Sequence, residues 1–345
     1  MKNIYVRLFE EEAATATIDR ILGSGCPSVV FLDTPPNRHL LRVVRVCTEM
    51  GLRVVVRDHH SPNPDRRESW SPREHETETY RQELLWFLKE KDGSQLVDRD
   101  HFPGCAQLVG KGEFGPEWVV VADQDPDGLT SALQARGWDW PGLVQDGAVL
   151  DGPPSGRSAD TLSPLGWVIS RCWAAMPPYD PPKGERREKA TLELFDLVTA
   201  VVRDGDAAAL DNLAAQAEAY EALVDAALLA VSQSSEVAPG VWLWDAIAAG
   251  NPRIDLSTFT RVMDAKGAGV TVTRKSDGPI AQHFGEQYSL AVMASHKESL
   301  NLSRLRPDGA ENTPEGGCIC HTTFLLHVAP KFWPGVLDAL AGCLL

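Results

Sequence analysis

The sequence has no apolar run approaching the roughly 20 residues that a membrane-spanning helix requires. It is also short of cations, with 33 Lys and Arg against 48 Asp and Glu, for a net charge of −15 at pH 7. Tracking long nucleic acid by neutralising its phosphates needs a basic face, so this balance argues against that mode, although a local basic groove can sit within an acidic total. A small anionic substrate or a short strand end fits better. The seven cysteines (Cys26, Cys47, Cys105, Cys172, Cys318, Cys320 and Cys343) form no regular framework, and no secretory apolar segment precedes them, so a reducing cytoplasm is the expected setting. Internal repeats and long low-complexity tracts are lacking too. What remains is 345 residues with 43% hydrophobic content, enough for a large core and two domains.

The first half alternates short valine-rich runs with amphipathic stretches. SVVFLD (28–33), RVVVRD (53–58) and WVVVAD (118–123) read as buried parallel strands, and text such as RHLLRVVRVCTEMG reads as a crossover helix. The expected fold class is α/β, with a doubly wound, mostly parallel sheet over residues 1–184. The stretch PPYDPPKG (177–184) cannot continue a helix and punctuates the chain. Residues 185–235 then read as two or more helices, broken near Asp204 to Asp206, that close or connect the domains. Residues 236–345 alternate like strands (VWLWDA, GVTVTR, YSLAVMAS, HTTFLLHV) before an amphipathic helix, FWPGVLDALAGCLL, and predict a smaller α+β domain.

Each valine-rich run ends in an aspartate: Asp33, Asp58 and Asp123. In open α/β sheets the carboxyl ends of the strands line one crevice, so these distant carboxylates are expected to converge. His59, His60, Asp125 and Asp127 lie beside them. Hard oxygen ligands with one or two imidazoles suit Mn²⁺ or Mg²⁺ better than structural zinc, which favours thiolates in closed tetrahedra. Carboxylates so crowded repel without cations, and two metals about 3.5–4 Å apart would clamp a phosphoryl group for in-line attack. Mn²⁺ is the first expectation and Mg²⁺ the second. A single aspartate after a strand is usually a helix cap or loop residue, but three, one of them followed by two histidines, make that reading much weaker.

The run DQDPDGLTSALQ also matches most of an EF-hand loop. Its twelfth position is Gln134 instead of glutamate, and the text before it is strand, not helix. Calcium sensing is therefore not expected.

DHH at 58–60 and DQDPDG at 123–128 resemble the motifs of the DHH phosphoesterase family, which includes RecJ-like single-strand exonucleases, oligoribonucleases, cyclic-dinucleotide phosphodiesterases and manganese pyrophosphatases. Asp33, 25 positions ahead of Asp58, is similar to the family's metal-bridging aspartate, and GCAQLVG (104–110) is similar to the small-residue motif that follows DHH. The order departs from the family's, in which the aspartate-rich element comes first. A circular permutation accounts for this, because strands of one sheet can be relinked while their ends still meet.

The resemblance implies metal ligation by Asp33, His59, Asp125 and Asp127, with Asp33 bridging, and with Asp123 either a ligand or an acceptor behind one. It implies that His60 contacts the scissile phosphate or protonates the leaving oxygen, while Asp58 orients the histidine pair. One further metal aspartate is implied. Cyclic order favours Asp98 or Asp100, whereas SADTLSPLG, which resembles the exonucleases' wording, favours Asp160, the preferred choice; a plain helix-capping role for Asp160 is equally compatible. EGGCICHTTF resembles the glycine-rich loop of the companion DHHA1 domain, implying substrate contacts by Gly316, Gly317 and His321. Arg304 is a candidate phosphate clamp.

The expected activity is metal-dependent hydrolysis of a phosphoester in a nucleotide or a short single-stranded oligonucleotide, in a crevice between the two domains, with no membrane partner. A non-catalytic scaffold or nucleotide sensor of the same fold is the alternative, and so, among enzymes, is a cyclic-dinucleotide phosphodiesterase.

Overall fold

The computed structural model describes residues 3–70, 72–88, 93–98, 101–152, 156–177, 185–276, 288–294, 300, 302–305, 318–322 and 325–344. Five strands form the first sheet: β1 (Asn3–Tyr5), β2 (Ser28–Leu32), β3 (Arg53–Ser61), β4 (Gln95–Asp98) and β5 (Trp118–Ala122). They lie in the order β1-β5-β2-β3-β4, and every neighbouring pair is parallel.

The continuous apolar text follows from burial on both faces. Val30 and Leu32 of β2, and Val120 and Ala122 of β5, enter one core, while Val29, Phe31, Val119 and Val121 enter another. Side chains alternate along a strand, so a strand covered on both sides must be apolar throughout. On the Val29 face lie α1 (Glu11–Leu22), α2 (Arg38–Glu49) and α3 (Pro72–Leu88). On the Val30 face lie α4 (Pro126–Arg136), α5 (Leu143–Asp151), α6 (Pro164–Ala175), α7 (Glu185–Asp204) and α8 (Ala207–Glu218). The expected covering of a parallel sheet on both faces is thus found.

Asn37 starts α2 by accepting hydrogen bonds from the His39 and Leu40 amides. Gly205, at φ +66°, breaks the chain between α7 and α8 where the sequence placed the interruption.

Two compact units result, Met1–Gly152 with Ala159–Glu218, and Pro153–Ser158 with Ala219–Leu345. The segment 185–235, read as a connector, is divided between them. Its α7 and α8 belong to the first unit, with α8 packed on α6 and α7, and α9 (Tyr220–Gln233) belongs to the second unit. Residues 178–184 of the proline-rich punctuation lie outside the described residues.

The second unit contains β6 (Ser235–Ala238), β7 (Val241–Asp245), α10 (Leu256–Ala265), β8 (Val270–Lys275), β9 (Ser289–Ala294), β10 (Cys318–Thr322), β11 (Leu325–Val328) and α11 (Trp333–Leu344). Its sheet runs β10-β11-β9-β8-β7-β6, with β7 and β8 parallel and the other pairs antiparallel. VWLWDA, GVTVTR and YSLAVMAS supply β7, β8 and β9 as expected. HTTFLLHV is not one strand: Thr322 pairs with Leu325, so the chain turns back there and the run is divided between β10 and β11. Among the described residues, no helix is long and apolar enough to cross a membrane.

Candidate metal centre

The chain leaves β2 toward α2 on one face of the sheet and leaves the adjacent β5 toward α4 on the other, so a crevice opens at their carboxyl ends. Asp33 follows β2 directly. Its backbone adopts φ +56°, unusual for a residue with a β-carbon, while its amide donates to the Arg57 carbonyl at 3.0 Å. Its side chain is fully buried, and neither carboxylate oxygen has a hydrogen-bond partner among the described residues.

In a regular strand adjacent side chains point to opposite faces, yet His59 and His60 both approach Asp33. The register of β3 against β4 explains this. Asp58 pairs with Leu96 and Ser61 with Asp98, so two residues of β3 oppose one of β4. This bulge bends the strand and aims both imidazoles at one place, with their rings edge to face at 4.8 Å. His59 Nε2 lies 3.2 Å from Asp33 Oδ1, and His60 Nδ1 lies 3.7 Å from the same atom.

His59 is fully buried, and its Nδ1 lies 2.6 Å from the Phe102 carbonyl. A carbonyl only accepts, so Nδ1 carries the proton and Nε2 faces the cluster. Around that Nε2 stand Asp33 Oδ1 at 3.2 Å, Asp127 Oδ2 at 3.4 Å and Asp151 Oδ2 at 3.6 Å. One proton on Nε2 could serve only one of these oxygens, whereas a divalent cation serves them all. Two overlapping groups have ligand atoms mutually within 4.8 Å: Asp33, His59 and His60, and His59, Asp127 and Asp151. Oxygen donors with imidazole suit a hard divalent cation, and the unpartnered Asp33 oxygens and His59 Nε2 are the atoms such an ion would satisfy.

The electrostatics carry the same message. Burial, then the Asp127 and Asp125 charges, push the Asp33 carboxyl well above the carboxylate range. Burial and Asp125 push Asp123 up to about 8, with the Arg7 guanidinium pulling the other way. Burial pushes Asp127 up to about 7 against the lowering effect of His59, with Asp151 and Asp125 adding to the rise. This pocket disfavours its own negative charges unless a cation is supplied.

Neighbouring groups fix the clustered side chains in place. Asp127 accepts from the Cys105 amide at 2.8 Å, which gives GCAQLVG its place beside the cluster. Asp58 accepts from both the His60 amide and His60 Nδ1, each at 2.8 Å, and so orients that ring. Asp125 caps α4, accepting from Gly128 N at 2.7 Å; helix begins inside the stretch that an EF-hand would need as loop. A β-carbon at Gly128 would run into the Asp123 carbonyl, so the glycine of DQDPDG is dictated by that turn. Asp123 accepts from the Gln124 amide and joins neither metal group, although it shares the field of Asp125.

Neither Asp160 nor Asp98 joins the groups around His59. Asp160 is exposed on a turn and outside both groups, and α6 after it is capped by Ser163, which accepts from Gly166 N. Asp98 pairs with His101 at 2.8 Å on β4, and Asp100 lies outside the described residues. Asp151, the last residue of α5, joins the second group instead. Its one sequence signal is an acid closing the short apolar stretch LVQDGAVLD ahead of Gly-Pro-Pro, with no valine-rich strand to announce it. Of the residues expected to touch substrate, Gly316 and Gly317 lie outside the described residues, Arg304 lies in the short 3-10 turn Leu302–Leu305, and His321 lies in β10.

No protein-family model matches the chain, and no curated protein matches it. Among solved structures, the pGpG-specific phosphodiesterase PggH from Vibrio cholerae is similar at a TM-score of 0.39 and 12% identity, over 75% of this chain and 92% of that one. At that level neither its fold nor its substrate transfers to this chain.

Proposed function

We propose that this chain is a metal-dependent phosphoesterase that hydrolyses phosphoester bonds of nucleotides or short single-stranded oligonucleotides. The observation that carries the reading is the buried His59 Nε2, faced by carboxylate oxygens of Asp33, Asp127 and Asp151 at 3.2–3.6 Å while its other nitrogen is committed to the Phe102 carbonyl. Asp33, His59, Asp125, Asp127 and Asp151 would hold the ions, two Mn²⁺ or Mg²⁺. When bound, the ions supply charge neutralisation at the phosphoryl oxygens and a water of lowered pKa.

The protein's own groups do the rest. Asp58 fixes His60 through Nδ1, and the imidazole so oriented would contact the scissile phosphate or exchange a proton with the leaving oxygen. The adjacency of β5 and β2 supports a circularly permuted relation to DHH phosphoesterases, since relinked strands still deliver Asp33 and the DQDPDG carboxylates to one crevice.

The test is Mn²⁺-dependent hydrolysis, against a chelated control, of 5′-phosphorylated DNA and RNA from two to about twenty nucleotides and of cyclic dinucleotides. Metal-dependent turnover, lost in Asp33→Ala and His60→Ala with folding retained, is the expected result. Unchanged activity in both variants would sink the assignment. Metal binding without turnover on any substrate would make the chain a sensor or scaffold.

A further inference from the structure

The second side of β5 faces β1, and these two strands also send their following helices to opposite faces of the sheet, α1 to one and α4 to the other. A second topological switch point therefore lies between β1 and β5, directly beside the one at the metal cluster. The β1–α1 loop lines it. Val6 continues the ladder by donating to the Ala122 carbonyl at 3.0 Å, so the residues after it run alongside Asp123 and Gln124. The Gln124 side chain is buried and donates to the Tyr5 carbonyl at 3.2 Å and to Glu188 at 3.1 Å, tying this loop to the β5 end and to α7.

Within the loop, Leu8 is buried in the core on the α1 side and anchors the turn. Its neighbours on either side, Arg7 and Phe9, are exposed, Phe9 to 48%. An aromatic ring left in water costs hydrophobic free energy, and this one stands two residues from a cation on an anchored turn. In the parallel register Tyr5 lies opposite Ala122, which sets Arg7 at the carboxyl end of the sheet, beside Asp123 and Gln124. Of the acids that follow, Glu11 is already engaged by Arg42 at 2.6 Å.

We propose that Arg7 and Phe9 form a nucleotide subsite next to the metal cluster, in which the guanidinium takes the phosphate beyond the scissile one and the ring stacks on the adjoining base. A guanidinium binds phosphate bidentately, and an aromatic face accepts any base, so the pair selects nucleotides over simple phosphate esters without choosing their sequence. This subsite rests on the phosphoesterase reading for its substrate, but it is read out separately through binding.

The experiment compares two dinucleotides, with and without a 5′-phosphate, and an abasic analogue. Binding is measured by calorimetry with Ca²⁺ in place of Mn²⁺, and turnover with Mn²⁺. In the wild type the 5′-phosphate is expected to tighten binding. Arg7→Ala should shrink that advantage roughly tenfold, Arg7→Lys should restore part of it, and Phe9→Ala should remove most of the preference for base over abasic analogue, roughly tenfold. Arg20→Ala, a cation at the far end of α1, should preserve both ratios. Binding that shows these losses without turnover in any form supports the subsite while refuting hydrolysis. Unaltered ratios in Arg7→Ala and Phe9→Ala, or a wild type that binds none of the three compounds, would overturn the subsite.

Discussion

His59 decides the chemistry at the scale of single residues. Because Nδ1 donates to a backbone carbonyl, the ring presents Nε2 to three carboxylates, an arrangement that stores repulsion until a cation enters. Asp151 completes that set. Asp151→Asn keeps the shape and removes one charge, so it is expected to weaken Mn²⁺ binding about 10–100-fold, a loss of the size seen when metal-site partners are removed. Asp160→Asn, on its exposed turn, should leave affinity within about twofold. Calorimetric metal titration of both variants decides between the two aspartates, and equal losses would remove Asp151 from the site. A different outcome is expected at Asp58, whose carboxylate accepts from the cluster's second histidine. Asp58→Asn can present its amide to His60 Nδ1 and so favour the other tautomer, and kcat should fall about 10²-fold or more with KM and metal affinity little changed. A loss confined to metal affinity would show that Asp58 serves the ions instead of His60.

At the scale of elements, the site depends on close approaches as much as on ligands. The bulge in β3 lets two consecutive histidines face one carboxylate, and α5 reaches the cluster because Gly147 packs against α4, where a β-carbon would meet Thr130 Oγ1 and lie 2.7 Å from Asp127 Oδ1. Gly147→Ala is accordingly expected to destabilise the fold by about 1–3 kcal/mol and to weaken metal binding by displacing Asp127, as read by urea unfolding and metal titration. A stable variant with unchanged affinity would show that α5 has slack. The same elements explain what could be read in advance. β2, β3 and β5 are legible because burial on both faces forces continuous valine, and the acids after β2 and β5 stand out against it. β1 is a three-residue edge strand and α5 a nine-residue helix, both too short to leave a period, so Asp151 had no frame in which to be noticed. The bulge is invisible for another reason: it is a property of pairing between β3 and β4, not of either run alone.

On the scale of the whole molecule, the acidic cluster is a load that folding accepts and a cation relieves. Asp33, Asp123 and Asp127 all have carboxyls raised by burial, the latter two to about 8 and about 7. The folded chain therefore holds more protons than the unfolded chain between about pH 4 and pH 8, and stability follows the difference in bound protons. The sign is definite: without metal, this contribution is complete below the unfolded carboxylate range and is lost as pH rises through 7 and 8. A divalent cation binds the deprotonated carboxylates and takes the place of those protons, so its affinity rises over the same window. Thermal unfolding at pH 6 and pH 8, each with chelator and with saturating Mn²⁺, should show Tm falling with pH in the chelated protein and the Mn²⁺-induced rise in Tm larger at pH 8. Asp127→Asn should flatten the chelated profile between those values, because it removes one of the titrating groups. An Mn²⁺ effect equal at both pH values, or larger at pH 6, would mean that these carboxylates do not hold the ion, and the cluster would have to be explained as an internal proton-sharing network.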